Sequence, residues 1–195
     1  MATTRALTGG TLDVNPQWWT LGKLRQTGPN TTITEAILVP VNRYPQGKTG
    51  RVNVIEVLKV MWETWAYPIW STDGSVIQAG LTAALTTRNP GGNYPQMEDP
   101  SVIDIVVKDW FTSGSAGTAT QTAATVWTDE EPIIHDLTDG AGHGILIASD
   151  QIYVTLATNT MSNQAEHLAE VKVKILYRYK QVSLTEYIGI VQSQQ

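Results

Sequence analysis

The chain of 195 residues contains no cysteine. This absence excludes disulfide bonds, thiolate metal sites and a cysteine nucleophile, although it fits oxidising and reducing compartments equally. Phenylalanine occurs once, and charged residues make up only 16% of the chain. No apolar run approaches the length of a membrane span, and the N-terminus lacks the hydrophobic region of a signal peptide. We therefore expect a soluble product, made in the cytoplasm or nucleus, with no membrane partner.

Sequence signatures of catalysis are also missing. The chain has no G-x-S-x-G motif, and the Gly-rich segment Asn89–Asn93 lacks the pattern of a phosphate-binding loop. Weak candidates for a metal or acid–base site are His135, Asp136, Asp139 and His143. Their spacing matches no known ligand motif, and a solvated turn explains them better. We expect no enzyme and no cofactor, with a hydrolase using His135, Asp136 and His143 as a minor alternative.

The residues that are plentiful favour β-structure. Thr, Val, Ile, Trp and Tyr suit pleated surfaces, and they form runs separated by Gly, Pro and Asn. The predicted strands are Thr34–Val41, Arg51–Trp62, Ser75–Thr87, Ser101–Phe111, Ile133–Leu137, Gly144–Ser149, Gln151–Ala157 and Glu170–Val182. About eight strands with long loops predict an all-β fold, a single antiparallel β-sandwich with a jelly roll as the leading variant.

The chain shows no internal repeat and no break that would indicate a second domain. We predict an N-terminal arm over residues 1–32, the jelly-roll domain over residues 33–182 and a C-terminal tail over residues 183–195. Ser183 and Glu186 have the spacing of a helix capping box, so the tail is either a short helix or a docked extended segment.

Charge is unevenly distributed along the chain. Residues 1–60 and 172–195 carry net charges of +4 and +3, whereas residues 61–171 carry −12, within a total of −5. The last predicted strand alternates strictly, with Val171, Val173 and Ile175 on one face and basic residues on the other. A nucleic-acid partner is therefore compatible with the acidic overall charge.

Aromatic residues cluster in the segment MWETWAYPIW, which contains Trp62, Trp65, Tyr67 and Trp70. They could form a stacking platform for sugars or single-stranded bases, which makes a carbohydrate-binding module the alternative function. A packed end of the core or a subunit contact is favoured, because no polar reader residues alternate with the rings. The predicted subunit-contact residues are Trp18, Trp19, Trp62, Trp65, Trp70, Tyr187 and Ile188.

Three segments resemble capsid proteins of small circular Rep-encoding single-stranded DNA viruses. They are DLTDGAGHGILIASDQIYV (136–154), LYRYKQVSLTEYIGIVQSQQ (176–195) and ITEAILVPVNRYPQGKTGRVNVIEVLKVMW (33–62). The resemblance implies a jelly roll that assembles with itself into an icosahedral T=1 shell of sixty copies around a circular ssDNA genome, and hence location in the virion. Many such proteins have an Arg/Lys-rich arm, whereas residues 1–32 contain only Arg5, Lys23 and Arg25.

The first and last strands of a jelly roll are expected to be neighbours in one sheet. This arrangement would bring the basic residues of both chain ends together, facing the shell interior, where they would offset phosphate charge without reading sequence. The predicted nucleic-acid-facing residues are Arg51, Lys59, Lys172, Lys174, Arg178 and Lys180. The alternative is the solvated outer face of an edge strand, where lysine discourages unwanted pairing.

Overall fold

The computed structural model describes residues 16–28, 30–39, 50–66, 76–93, 95–113, 132–161 and 168–194. These residues form nine strands and one helix. The strands are β1 (Gln17–Arg25), β2 (Thr31–Leu38), β3 (Arg51–Trp65), β4 (Val76–Thr86), β5 (Val102–Ser113), β6 (Ile133–Asp136), β7 (Ile145–Ile147), β8 (Gln151–Asn159) and β9 (Glu170–Ser183). The helix α1 spans Leu184–Ser193.

The strands form two antiparallel sheets. Sheet A has the order β1-β9-β3-β6, with β7 also paired to β3, and sheet B has the order β2-β8-β4-β5. Strands close in sequence alternate between the sheets, so most connections cross from one sheet to the other, as in a double Greek-key jelly roll. The predicted all-β jelly-roll sandwich is confirmed, and the predicted pairing of the basic chain ends is found as β3 beside β9.

Strand β1 lies inside the segment that the sequence predicted to be an arm. It pairs with β9 from Gln17 to Arg25, and it buries Leu21 and Leu24 in the core. The pairing shifts register between Thr20 and Gly22, which interrupts the alternation by which a strand is recognised. This corrects the arm prediction over these residues, while residues 1–15 lie outside the described part of the chain.

The core lies between the two sheets, and a bulge in β3 shapes it. The register with β9 shifts between Val57 and Lys59, so Val57 and Trp62 both face the core although five positions separate them. A strict alternation would have placed them on opposite faces. The bulge explains why this part of the sequence is nearly continuous in apolar residues, and it leaves Lys59 on the outer face of sheet A.

Helix α1 packs on the outer face of sheet A. Ser183 caps it by accepting a hydrogen bond from the Glu186 backbone N–H at 3.2 Å. A small buried cluster of Val52, Val54, Ala148 and Val182 receives Tyr187, Ile190 and Val191 of the helix. The tail is therefore helical and also docked. Within the described part of the chain, no helix is long and apolar enough to span a membrane.

Candidate nucleic-acid and assembly surfaces

The outer face of sheet A carries the basic side chains predicted from the last strand. Val171, Val173 and Ile175 are buried in the core, and Lys172 and Lys174 alternate with them on the opposite side of β9. Arg51 does not share this face, because the neighbouring Val52 occupies it and packs against α1. Among the described residues, seven cations lie on the face, namely Lys23, Arg25, Lys59, Lys172, Lys174, Arg178 and Lys180.

Acidic side chains on neighbouring strands neutralise part of this face. Nζ of Lys172 lies 2.7 Å from Glu63, and Nζ of Lys59 lies 2.8 Å from Asp136. The carboxylates of the face are Glu56, Glu63, Asp136 and Glu170. They leave an excess of three positive charges, and Lys174 has no carboxylate partner among the described residues. The sequence could not reveal these pairs, because they join segments distant in the chain.

Glu56 forms a buried charge cluster where sheet A meets the Gly140–Gly144 turn. Its side chain is fully buried, and its carboxylate accepts hydrogen bonds from Arg178 Nε, Lys180 Nζ at 3.2 Å and the Gly144 N–H at 3.1 Å. Burial acts to raise the pKa of Glu56, but the bonds from Arg178, Lys180 and Gly144 outweigh it, and the pKa is lowered from 4.5. Arg178 and Lys180, which the sequence predicted to face nucleic acid, therefore both bind Glu56 within the subunit.

The half of this face that lies away from α1 is called the open half, because Trp18, Lys174 and Trp65 are exposed there. Its residues lie in rows across β1, β9 and β3, with Trp18 beside Leu176 and Trp65 beside Glu170. Trp18 is 46% exposed and Trp65 is 44% exposed. The two rows between them contain Lys174 and Lys172, so exposed aromatic rings and cations share one surface.

The predicted subunit-contact residues divide into accessible and inaccessible groups. Trp62 is fully buried and donates from Nε1 to Asp104 at 2.6 Å, so it belongs to the core and is not available to a second subunit. This corrects its assignment. Trp19 and Tyr187 are half-buried and pack within their own subunit. The accessible residues are Trp18, Trp65 and Ile188, and Trp70 lies outside the described residues.

The outer face of sheet B is almost uncharged, a feature that the sequence prediction missed. Ala84, Thr155 and Ala157 lie at its centre and are buried, whereas Val107 and Phe111 near one edge are 58% and 69% exposed. Among the described positions of this face, Asp109 supplies the one charge. The absence of charged residues in the β4 sequence VIQAGLTAALT was a signal that could have been used. Solvated sheet faces usually carry mixed charges.

The histidine segment does not form a converging site. Nδ1 of His135 lies 2.8 Å from Asp104, whereas Nδ1 of His143 lies 3.0 Å from Asp139. Asp136 instead binds Lys59 and the Thr138 backbone N–H and hydroxyl, which lower its pKa to about 2. Within the described ranges, no group of three His, Cys, Asp or Glu residues could hold a metal ion.

A groove of about 560 Å³ lies beside His135, between the edge strands of the two sheets. Exposed Met97 and Ile134 line its mouth, and the Asp104–His135 pair lies in its wall. The sequence did not indicate Asp104 as a candidate site residue, because its partners Trp62 and His135 contact it only across the sandwich. This pair lacks an adjacent nucleophile among the groove-lining residues, which distinguishes it from a catalytic triad.

No family model and no curated protein matches the chain. Among solved structures, it is similar to VP1 of Trichodysplasia spinulosa-associated polyomavirus, with a TM-score of 0.39, 13% identity and 78% of both chains covered. Merkel cell polyomavirus VP1 in complex with disialyllactose gives a TM-score of 0.43 at 11% identity, covering 78% of this chain and 79% of that one. New Jersey polyomavirus VP1 gives 0.41 at 10% identity, with 78% and 82% covered.

Proposed function

We propose that this chain is a structural, non-enzymatic subunit of a viral capsid. It assembles with itself into a small icosahedral shell, most simply of sixty copies with T=1 symmetry, that encloses a single-stranded DNA genome in the virion. The observation that carries the proposal is the contrast between the outer faces of the sandwich. Sheet A has an excess of positive charge, whereas the described face of sheet B has a single charged residue.

The positive face fits the shell interior. Phosphate neutralisation needs cations on one surface without base-reading geometry, because its contribution to affinity is electrostatic and independent of sequence. On sheet A, Lys174 has no carboxylate partner among the described residues. The positions around it also carry more positive than negative charges. The ion pairs with Glu63 and Asp136 reduce this charge, so genome binding by one subunit is weak and depends on the number of copies.

The uncharged face fits contacts between subunits. Interfaces are depleted of charge at their centre and enriched in aromatic residues, and exposed apolar patches on soluble proteins indicate interaction sites. Phe111 and Val107 lie two rows apart on this face, and Leu38 is exposed at the opposite edge. In the shell these side chains are covered by neighbouring copies.

Assembly itself is tested on purified recombinant protein by electron microscopy and light scattering. We expect uniform hollow particles at high protein concentration. A stable monomer across a range of salt and pH would contradict the proposal, whereas particles would support it even when no nucleic acid is present.

The role of sheet B is tested with Phe111→Glu and Val107→Glu. We expect each substitution to reduce particle yield strongly, because a carboxylate buried at an interface is costly to desolvate. Met97→Glu introduces the same charge at an exposed apolar residue away from this face and is the matched control. Normal assembly of both sheet B variants would place the subunit contacts elsewhere.

A further inference from the structure

Two exposed tryptophans flank the cations on the open half of sheet A. Trp18 lies on β1 in the row of Leu176, and Trp65 lies on β3 in the row of Glu170. The two rows are six positions apart along β9, which corresponds to about 20 Å along the strand. Lys174 and Lys172 occupy the two rows between them on the same face. The face therefore has two cations between two aromatic rings along the strand direction.

The two rings differ in how they are held. Trp65 donates from Nε1 to Glu63 at 3.2 Å, and the same carboxylate oxygen accepts from Lys172 at 2.7 Å. This bond fixes the ring beside a cation. The ring therefore loses less conformational entropy when a base stacks on it. Trp18 packs beside Leu176, which is only partly buried. Both rings keep nearly half of their surface accessible, unlike the buried Trp62.

Two aromatic rings with cations between them match the chemistry of a single strand. Aromatic side chains stack on unpaired bases regardless of sequence, while a positively charged surface follows the phosphates. The bases of a duplex are already stacked inside it and offer no free face to a ring on a flat sheet. A neutral sugar ligand would not need the cations, and a protein contact would not need Lys174 to lack a carboxylate partner among the described residues.

We propose that the open half of sheet A is a binding site for single-stranded nucleic acid. Bases stack on Trp18 and Trp65, and Lys174 contacts the phosphates between them. The inference rests on the proposed function for its biological setting, because it specifies why the shell accepts a single-stranded genome. It needs no assembly, however, since all these residues belong to one subunit.

The test measures binding of fluorescently labelled oligothymidine, and of a duplex of equal length, to the full chain. We expect Trp18→Ala and Trp65→Ala each to weaken single-strand binding by at least about fivefold, with duplex binding unchanged. Trp18→Phe and Trp65→Phe should restore most of the affinity, because they keep a stacking surface. Met97→Ala removes an exposed apolar side chain beside the His135 groove, outside the proposed site, and is the control.

Lys174→Ala tests the phosphate contact. We expect it to weaken binding of both nucleic acids and to reduce the slope of log affinity against log salt by about one unit. The alanine variants are checked for an unchanged thermal transition before binding is measured.

The outcomes separate the two proposals. Unchanged single-strand affinity in the Trp18→Ala/Trp65→Ala variant, or an equal loss for duplex, would overturn the stacking site. Loss of particles with full single-strand affinity in this variant would also overturn it and would assign both rings to subunit contacts. If the protein forms no particles but its single-strand binding depends on both tryptophans, the capsid proposal fails and the binding site stands.

Discussion

Glu56 on β3 and Arg178 on β9 stand directly opposite each other, and the fully buried carboxylate of Glu56 accepts a hydrogen bond from Arg178 Nε. Arg178 also donates from its guanidinium to the Gly142 carbonyl at 3.0 Å, so it joins β9 to the turn before β7. Part of the basic surface therefore maintains the fold. A charge reversal at Arg178 would change stability and nucleic-acid binding together, whereas Lys174 probes binding alone.

Removal of the buried charge should destabilise the subunit. Glu56→Gln keeps the shape of the side chain but leaves Arg178 and Lys180 without their counter-charge. We expect the free energy of unfolding to fall by about 1.5–3 kcal/mol, the range for hydrogen bonds to charged groups. Urea denaturation measures this change. Glu63→Gln removes an exposed partner of Lys172 and should cost less than about 1 kcal/mol. Equal losses would show that burial does not distinguish the two pairs.

The stability of the subunit should decrease in acid through the same residue. Because the folded-state pKa of Glu56 lies below 4.5, its stabilising contribution is complete above that pH. The contribution is lost as the pH falls through the folded-state pKa. Urea denaturation of wild type and Glu56→Gln across this range should give free energies that converge in acid. A difference that is constant with pH, or that grows in acid, would contradict this assignment.

Asp136 should titrate far below an ordinary aspartate. The hydrogen bond from Lys59, followed by those from the Thr138 hydroxyl and N–H, holds its pKa at about 2, against an ordinary 3.8. Carboxyl NMR signals recorded against pH would measure this value. In Lys59→Ala we expect the pKa to rise towards 3.8, since the largest cause is removed, while Thr138 keeps it somewhat low. An unchanged pKa would mean that the Lys59 contact does not form in solution.

Two tryptophans only three positions apart should differ sharply in their effect on stability. Trp62→Ala removes a fully buried ring and leaves Asp104 without one of its hydrogen-bond donors, so we expect a loss of about 3–5 kcal/mol. Trp65→Ala removes an exposed ring and should cost less than about 1 kcal/mol. Thermal and urea unfolding of both variants measure the difference. Comparable losses would contradict the regular alternation of β3 that places them on opposite faces of the sheet.

The cap of α1 should control how often the helix opens. Ser183→Ala removes the acceptor for the Glu186 N–H and should destabilise the helix by about 1 kcal/mol. Amide hydrogen exchange of Leu184–Ser193 should accelerate, with little change in the core strands. Ser193→Ala, at the other end of the helix, is the control and should change exchange much less. Uniform acceleration over the whole sandwich would show that the cap acts on global stability.

Several features of the fold could be predicted because they are local. Alternation in Glu170–Ser183 placed Val171, Val173 and Ile175 on one face and the basic residues on the other, and the Ser183–Glu186 spacing made a helix start one of two alternatives. The prediction failed at β1 because the irregularity between Thr20 and Gly22 breaks the pattern. Trp62 was assigned to a subunit contact because a row of aromatic residues does not indicate which of them face inward.

The candidate surface shows the same division between local and distant information. The sequence located Lys172, Lys174, Arg178 and Lys180 on one face of a strand, because the two-residue period of a strand is a property of its own backbone. It could not pair Arg178 with Glu56 or Lys172 with Glu63, because the register between β9 and β3 joins residues more than a hundred positions apart.

The sequence by itself determined that the chain forms strands, which of their side chains are apolar, and that its two ends are basic. The tertiary structure decided which cations are neutralised, which tryptophans are exposed, and that sheet B has an almost uncharged outer face. The physical reason is that secondary structure follows from local backbone geometry. Surface charge and exposure depend instead on strand register, bulges and the docking of α1, which are set by contacts across the whole sandwich.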